Sequence, residues 1–173
     1  MPFTQLRRTL EPKWVSEYCA EHYPDAEVRL SCPLGPIPKE TERSYGLLKG
    51  LRVYRPWRPE VDAVVIRHGQ LILIEAKVFK YMDGLSKLPV YKALVPETPE
   101  LKPFIDHMVY MKLLIPAEIP WVIASGKNMG VEVEVWAPDY IKRVWEERDK
   151  YWTKEKVEER EERKRKLMEM GYR

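Results

Sequence analysis

Asp62, Glu75 and Lys77 stand in a stretch, residues 60–78 (EVDAVVIRHGQLILIEAKV), that is otherwise almost wholly apolar. Two carboxylates and an ammonium are residue types that can hold a divalent cation and steady charge building on a phosphate. Whether they act together depends on the register of the chain that carries them. The stretch divides into two β-branched-rich runs, 61–67 and 70–78, joined by His68-Gly69. Short apolar runs split by a two-residue X-Gly connection predict a hairpin with a primed turn. With those two residues as the loop, Arg67 pairs with Gln70, Asp62 faces Glu75 and Glu60 faces Lys77. Facing residues share one side of the sheet, with Cβ atoms about 4.5–5.5 Å apart. Lys77, two positions on from Glu75, shares that side too.

Two carboxylates held face to face on apolar strands repel each other with little screening. A divalent cation is the usual compensation for clustered oxygen ligands, and the Lys77 ammonium supplies the rest. The spacing Asp62-x12-Glu75-x-Lys77, with Pro59 three residues before the first acid, resembles the PD-(D/E)xK nuclease superfamily. That group includes restriction endonucleases, archaeal Holliday junction resolvases and RecB-like nuclease domains. The first half of the motif reads Pro59-Glu60-Val61-Asp62 here, and the E-x-K half is intact.

The resemblance implies an α/β fold: a restriction-endonuclease-like α-β-β-β-α-β core with a mixed central sheet flanked by helices. It implies a metal-dependent deoxyribonuclease, endo or exo, acting on DNA, with RNA left open as substrate. Mg²⁺ or Mn²⁺ would be held by Asp62, Glu75 and the backbone oxygen of Ala76, and Lys77 would position or activate water. In that superfamily the first helix often gives one more acid to the metal. Glu21 and Glu11 are the better placed candidates, and Glu17 is third. RecB-like members follow the E-x-K strand with a Gln-x-x-x-Tyr pair on the DNA backbone; the matching positions here are Lys87 and Tyr91, which still offer a phosphate-binding cation.

The elements that must position these groups can be read in order. Residues 9–23 predict a helix, since Trp14, Val15, Tyr18, Cys19 and His22 recur at helical spacing. A strand is expected at 26–31, a proline-rich loop at 32–39, and another strand at 51–54. Arg52, Arg55, Trp57 and Arg58 interleave cations with aromatics, a pattern able to grip phosphates while stacking on bases. Both hairpin faces are apolar, so both are covered. A helix follows at about 85–95, then a proline-rich connection at 96–103. Strand 108–115, helix 117–129 and strand 131–136 make a βαβ crossover with parallel neighbours. Pro138-Asp139 caps a last helix with an apolar side on Ile141, Val144, Trp145, Arg148 and Trp152. Residues 1–153 are read as the nuclease-like domain and 154–173 as a charged, long C-terminal helix ending near Gly171. A sharper reading makes that helix a homodimerisation arm or a DNA clamp.

A chain of 173 residues with net charge +3 and 33% charged residues is not globally basic, so nucleic-acid affinity must come from a local patch. No apolar run is long enough to span a membrane, and residues 1–14 lack a signal-peptide core. Cys19 and Cys32 lack metal-type spacing and read as reduced interior thiols of an intracellular, cytoplasmic protein. A single asparagine among many Lys, Glu and Arg fits a heat-loving source. The competing reading is an ion network of Glu60, Glu75 and Lys77 without metal, in a non-catalytic nucleic-acid-binding or scaffold protein of the same fold.

Overall fold

The computed structural model describes residues 3–150 and 154–170. Five strands, β1 (Glu27–Pro33), β2 (Glu60–Arg67), β3 (Gln70–Ala76), β4 (Met108–Ile115) and β5 (Val131–Val135), form one mixed sheet in sequence order. β1, β2 and β3 are antiparallel neighbours, while β3–β4 and β4–β5 are parallel. The hairpin has the expected register, from Arg67 opposite Gln70 to Ala63 opposite Ile74. Its two loop residues, His68 (φ 46°) and Gly69 (φ 75°), are both left-handed. That is what a turn matching the twist of the flanking strands needs.

The described residues form seven helices: α1 (Phe3–His22), α2 (Lys39–Tyr45), α3 (Leu47–Tyr54), α4 (Tyr81–Leu94), α5 (Pro120–Asn128), α6 (Asp139–Lys150) and α7 (Lys154–Glu169). Period-two alternation sends hairpin side chains to two cores. Val64, Ile66, Leu71 and Leu73 meet Leu85 and Leu88 of α4 and Val122 of α5. Ala63, Val65, Ile72 and Ile74 meet Trp14, Val15 and Tyr18 of α1. Each fully buried Leu, Ile or Val contributes about 1.5–3 kcal/mol. The central strands are therefore a stiff platform for whatever projects from their ends.

Several sequence expectations change. Residues 51–54 are helical, not a strand, and the unplaced 40–49 stretch supplies nearly all of α2 and the first turn of α3. The alternation of Arg52-Val53-Tyr54 suggests a strand, but Leu47, Leu51 and Tyr54 also recur at helical spacing, and that period wins. Gly46, at φ 71°, separates the two helices. Helix α4 begins at Tyr81 rather than at Leu85, and the connection after it winds into two 3₁₀ turns, Val95–Glu97 and Pro99–Phe104.

Strand β4 is not purely apolar. Lys112 is buried on the α1 side, where its ammonium meets Glu132 (3.2 Å), Glu134 and the Tyr18 hydroxyl (3.1 Å). Helix α7 is exposed along nearly all its described length. The expected junction at 151–153, with Trp152, and the helix end at Gly171 lie outside the described residues. Among the described residues no helix is long and apolar enough to cross a membrane.

Candidate active site at a fork in the sheet

Regular pairing of β2 with β3 stops at Ala63–Ile74, one step short of Asp62 and Glu75. Beyond that point β2 stays with β1, through Val61–Cys32 and Glu60–Pro33. β3 stays with β4, through Glu75–Leu113 and Ala76–Leu114. The sheet forks, and the expected facing acids sit at the fork. On the other side of Asp62 the β1–β2 pairing also skips a step, between Leu30–Ala63 and Cys32–Val61. The β1 residue at that gap is Ser31, held left-handed at φ 47°, a conformation that costs a non-glycine residue about 1 kcal/mol. Arg55 clamps the kink, its Nε on Glu60 Oε1 and its Nη2 on the Ser31 carbonyl, both at 2.8 Å.

The Asp62 side chain bridges the fork: its Oδ2 accepts a hydrogen bond from the Ala76 N–H at 2.8 Å. Lys77, just past β3, points its ammonium into the gap. It lies 2.8 Å from Glu75 Oε1, 3.8 Å from Glu11 Oε2 and 4.0 Å from Asp62 Oδ2. Glu75 and Lys77 are both buried. Three carboxylates thus lie within 4.0 Å of one ammonium. The other Glu75 oxygen, Oε2, is buried with no hydrogen-bond partner. A bare buried carboxylate oxygen is costly. It is an acceptor that a proton or a cation would satisfy.

The titration behaviour follows. Burial, then the Asp62 charge, push the Glu75 carboxyl up to about 7, against the pull of Lys77. Burial also raises Asp62, although Lys77 and the Ala76 N–H favour its charged form. For Lys77, burial works against the charge. Glu75, Asp62 and Glu11 outweigh it and hold the ammonium above its ordinary range.

The candidates from the first helix separate cleanly. Glu11 reaches Lys77. Glu17 instead accepts from the Tyr140 hydroxyl at 2.9 Å and pairs with Lys13, and Glu21 accepts from Trp136 Nε1. Glu60, expected opposite Lys77, turns outward to Arg55, because β2 has left β3 by that point. Tyr91 is buried and donates its hydroxyl proton to the Glu60 carbonyl at 3.0 Å, tying α4 to the start of β2. Lys87 is half-buried and paired with Asp83 at 2.8 Å, while its field still favours the charged forms of Asp62 and Glu75.

The cation–aromatic run is split by the fold. Arg52 and Trp57 are exposed, and Arg55 is half-exposed. Arg58 is not a surface cation: its guanidinium is buried, bidentate to Glu100 at 2.6 and 2.8 Å, and bonded to the carbonyls of Pro33, Leu34 and Gly35. Its role is to staple the loop after β1 to the entry of β2. Among the described residues no three His, Cys, Asp or Glu side chains converge on a common cation position. The acids of the fork converge on Lys77 instead.

One contributor is not legible as a functional residue. A Cβ on Gly84 would lie 2.6 Å from Leu113 Cδ1 and 3.0 Å from Lys77 Cγ, so only glycine lets α4 settle on the Lys77 stem. In a helix interior Gly→Ala ordinarily gains up to about 1 kcal/mol. Leu113 is fully buried and cannot give way, so overpacking should win. Gly84→Ala is expected to cost about 1–3 kcal/mol in chemical denaturation. A more stable variant would show that α4 is not tightly seated on Lys77.

No protein-family model matches this chain, and no curated protein matches it. Among solved structures, one described as a protein of unknown function, AF1548, is similar at TM-score 0.41 and 12% identity. The match covers 72% of this chain and 56% of that one, so this chain spans little more than half of that protein's length.

Proposed function

We propose that this chain is a metal-dependent nuclease that hydrolyses phosphodiester bonds of DNA at the fork between β2 and β3. The observation that carries the reading is the buried Glu75 Oε2, without a hydrogen-bond partner, beside Asp62 and Lys77. The order of α1, β1, β2, β3, α4 and β4, with α2 and α3 inserted, agrees with a restriction-endonuclease-like core, as does the pairing of three antiparallel strands with a parallel fourth.

The donor set fits a hard divalent cation, since its free donor is a carboxylate oxygen. Asp62 and Glu75 would hold Mg²⁺ or Mn²⁺, with the Ala76 peptide between them in the fork. When bound, such an ion lowers the pKa of water and offsets charge on the phosphorane. The chain's own residues then divide the work. Glu75, pushed up to about 7, gives up its proton readily near neutral pH when a cation replaces it. Lys77, kept charged by its carboxylates, stabilises developing negative charge rather than accepting a proton. Glu11 holds Lys77 from the α1 side, and the Ala76 N–H fixes one Asp62 oxygen so that the carboxylate cannot swing.

The second reading, a non-catalytic binder, is favoured by one observation: Lys77 already stands among the carboxylates as an internal counter-ion. The two readings diverge in one assay. Labelled DNA and RNA are incubated with wild type and Asp62→Asn, with Mg²⁺, Mn²⁺ or chelator. The nuclease reading expects metal-dependent cutting of DNA, reduced at least about 100-fold in the variant. Retained binding with no cutting under any metal would select the binder.

A further inference from the structure

The sheet end that carries the fork also carries two exposed indoles, one on each side of it. β2 begins there, while β3 and β4 finish there. Trp57 lies three residues before the start of β2, and Trp121 lies in the first turn of α5, after β4. With strands about 4.8 Å apart, β2 and β4 stand roughly 10 Å from each other, and β3 with Glu75 lies between.

Trp57 is 69% exposed. Its ring stacks on Tyr54, centroids 5.7 Å apart and planes 25° from parallel, so one face is backed by a ring while much of the indole meets solvent. Trp121 is 48% exposed and meets Tyr81 edge to face at 6.4 Å. Tyr81 is itself fixed: its hydroxyl donates to the Val78 carbonyl (2.7 Å) and accepts from Trp145 Nε1 (3.0 Å). That support is anchored one residue beyond Lys77. A groove of about 260 Å³ between β1 and α3 has Arg29, Arg52 and Arg55 around a largely apolar floor that includes Leu30 and Leu51, with Glu100 at its wall. Arg29 pairs with Glu27 and Arg55 with Glu60, but Arg52 makes no hydrogen bond or ion pair among the described residues.

Indole faces held open to water on a rigid backing are stacking platforms, and any base has a face to offer them. In a closed duplex those faces are covered by neighbouring bases, so such platforms engage unpaired nucleotides. We infer that the fork receives an unpaired polynucleotide strand, its bases stacked on Trp57 and Trp121 and its phosphates drawn to Arg52, in preference to a closed duplex. This names the substrate class of the nuclease reading and rests on it for the location of the scissile phosphate.

The test measures binding apart from cutting. Fluorescence anisotropy with a labelled single-stranded oligonucleotide, and with the same strand annealed to its complement, is recorded in chelator. The single strand is expected to bind at least about tenfold more tightly. Trp57→Ala and Trp121→Ala should each weaken single-strand binding about 5- to 100-fold and leave duplex binding nearly unchanged. Trp57→Phe, which keeps a stacking face, should recover most of the loss. Arg52→Ala should weaken both ligands and reduce the salt slope by about one. Equal or tighter duplex binding, wild-type single-strand affinity in both Trp→Ala variants, or no binding of either ligand at low salt would overturn the inference. A chain that prefers single strands through these indoles but cuts nothing keeps the inference and removes the hydrolase. One that cuts duplex while the indole variants bind normally does the reverse.

Discussion

Glu75→Gln is expected to abolish metal-dependent cleavage while making the metal-free protein more stable at pH 8. The two effects share one cause. In the folded chain Glu75 is raised from 4.5 to about 7, first by burial and then by Asp62. The folded state therefore binds this proton more tightly than the unfolded chain does. The stabilisation is fully present below the ordinary value and is lost as pH rises through about 7. Asp62, raised by burial, acts in the same direction. At pH 8 without metal the charged Glu75 is a liability, with one oxygen buried and unpartnered. Glutamine keeps the shape and removes the charge. A gain of about 1–3 kcal/mol follows from the size of the shift, or roughly 2–4 °C in thermal midpoint for each kcal/mol in a chain of this length. At pH 5 the gain should shrink toward zero. A variant less stable than wild type at pH 8 would mean that Glu75 is there to hold Lys77, and the fork would be a structural ion network.

Lys77→Met should show the opposite sign. Removing the ammonium takes from Glu75, Asp62 and Glu11 the one cation that all three share, and leaves only the field of Lys87 on the first two. Breaking a buried pair by deleting one partner costs about 3–5 kcal/mol, so a marked fall in the denaturation midpoint is expected at pH 8. The loss should be smaller at pH 5, where Glu75 can take up a proton. Adding Glu75→Gln to Lys77→Met should restore much of the stability, because the double variant lacks both the ammonium and its closest carboxylate. A cost under about 1 kcal/mol, or no recovery in the double variant, would show that these charges are solvated and uncoupled.

Much of the site was readable because a strand has a period of two. His68-Gly69 fixes the turn, the turn fixes the register, and the register carries Asp62 and Glu75 to within one step of the last regular pair, with Lys77 close by. The fork is a tertiary event. It depends on the Ser31 kink in a different strand and on Arg55 reaching across to it, and no local pattern around Asp62 announces it. For the same reason Glu60 was expected beside Lys77 and instead faces Arg55. Glu11 was one of three helix acids that a helical wheel does not resolve finely, since the choice depends on where α1 crosses the sheet end. Arg58 sits in a surface-like run of cations and aromatics, yet its fate is decided by the carbonyls of Pro33, Leu34 and Gly35 and by Glu100, which lies far along the chain. Gly84 reads as an ordinary weak spot in a helix until the neighbouring atoms are known.

The central claim is that the fork is a seat for a divalent cation. Titration calorimetry with Mn²⁺ at pH 7, repeated in buffers of different ionisation enthalpy, addresses it most directly. One Mn²⁺ per chain is expected, with proton release visible as a buffer-dependent heat because Glu75 is part-protonated at that pH; both signals should vanish in Glu75→Gln. Absence of Mn²⁺ binding to the wild-type chain, or the same binding and proton release in the variant, would contradict it.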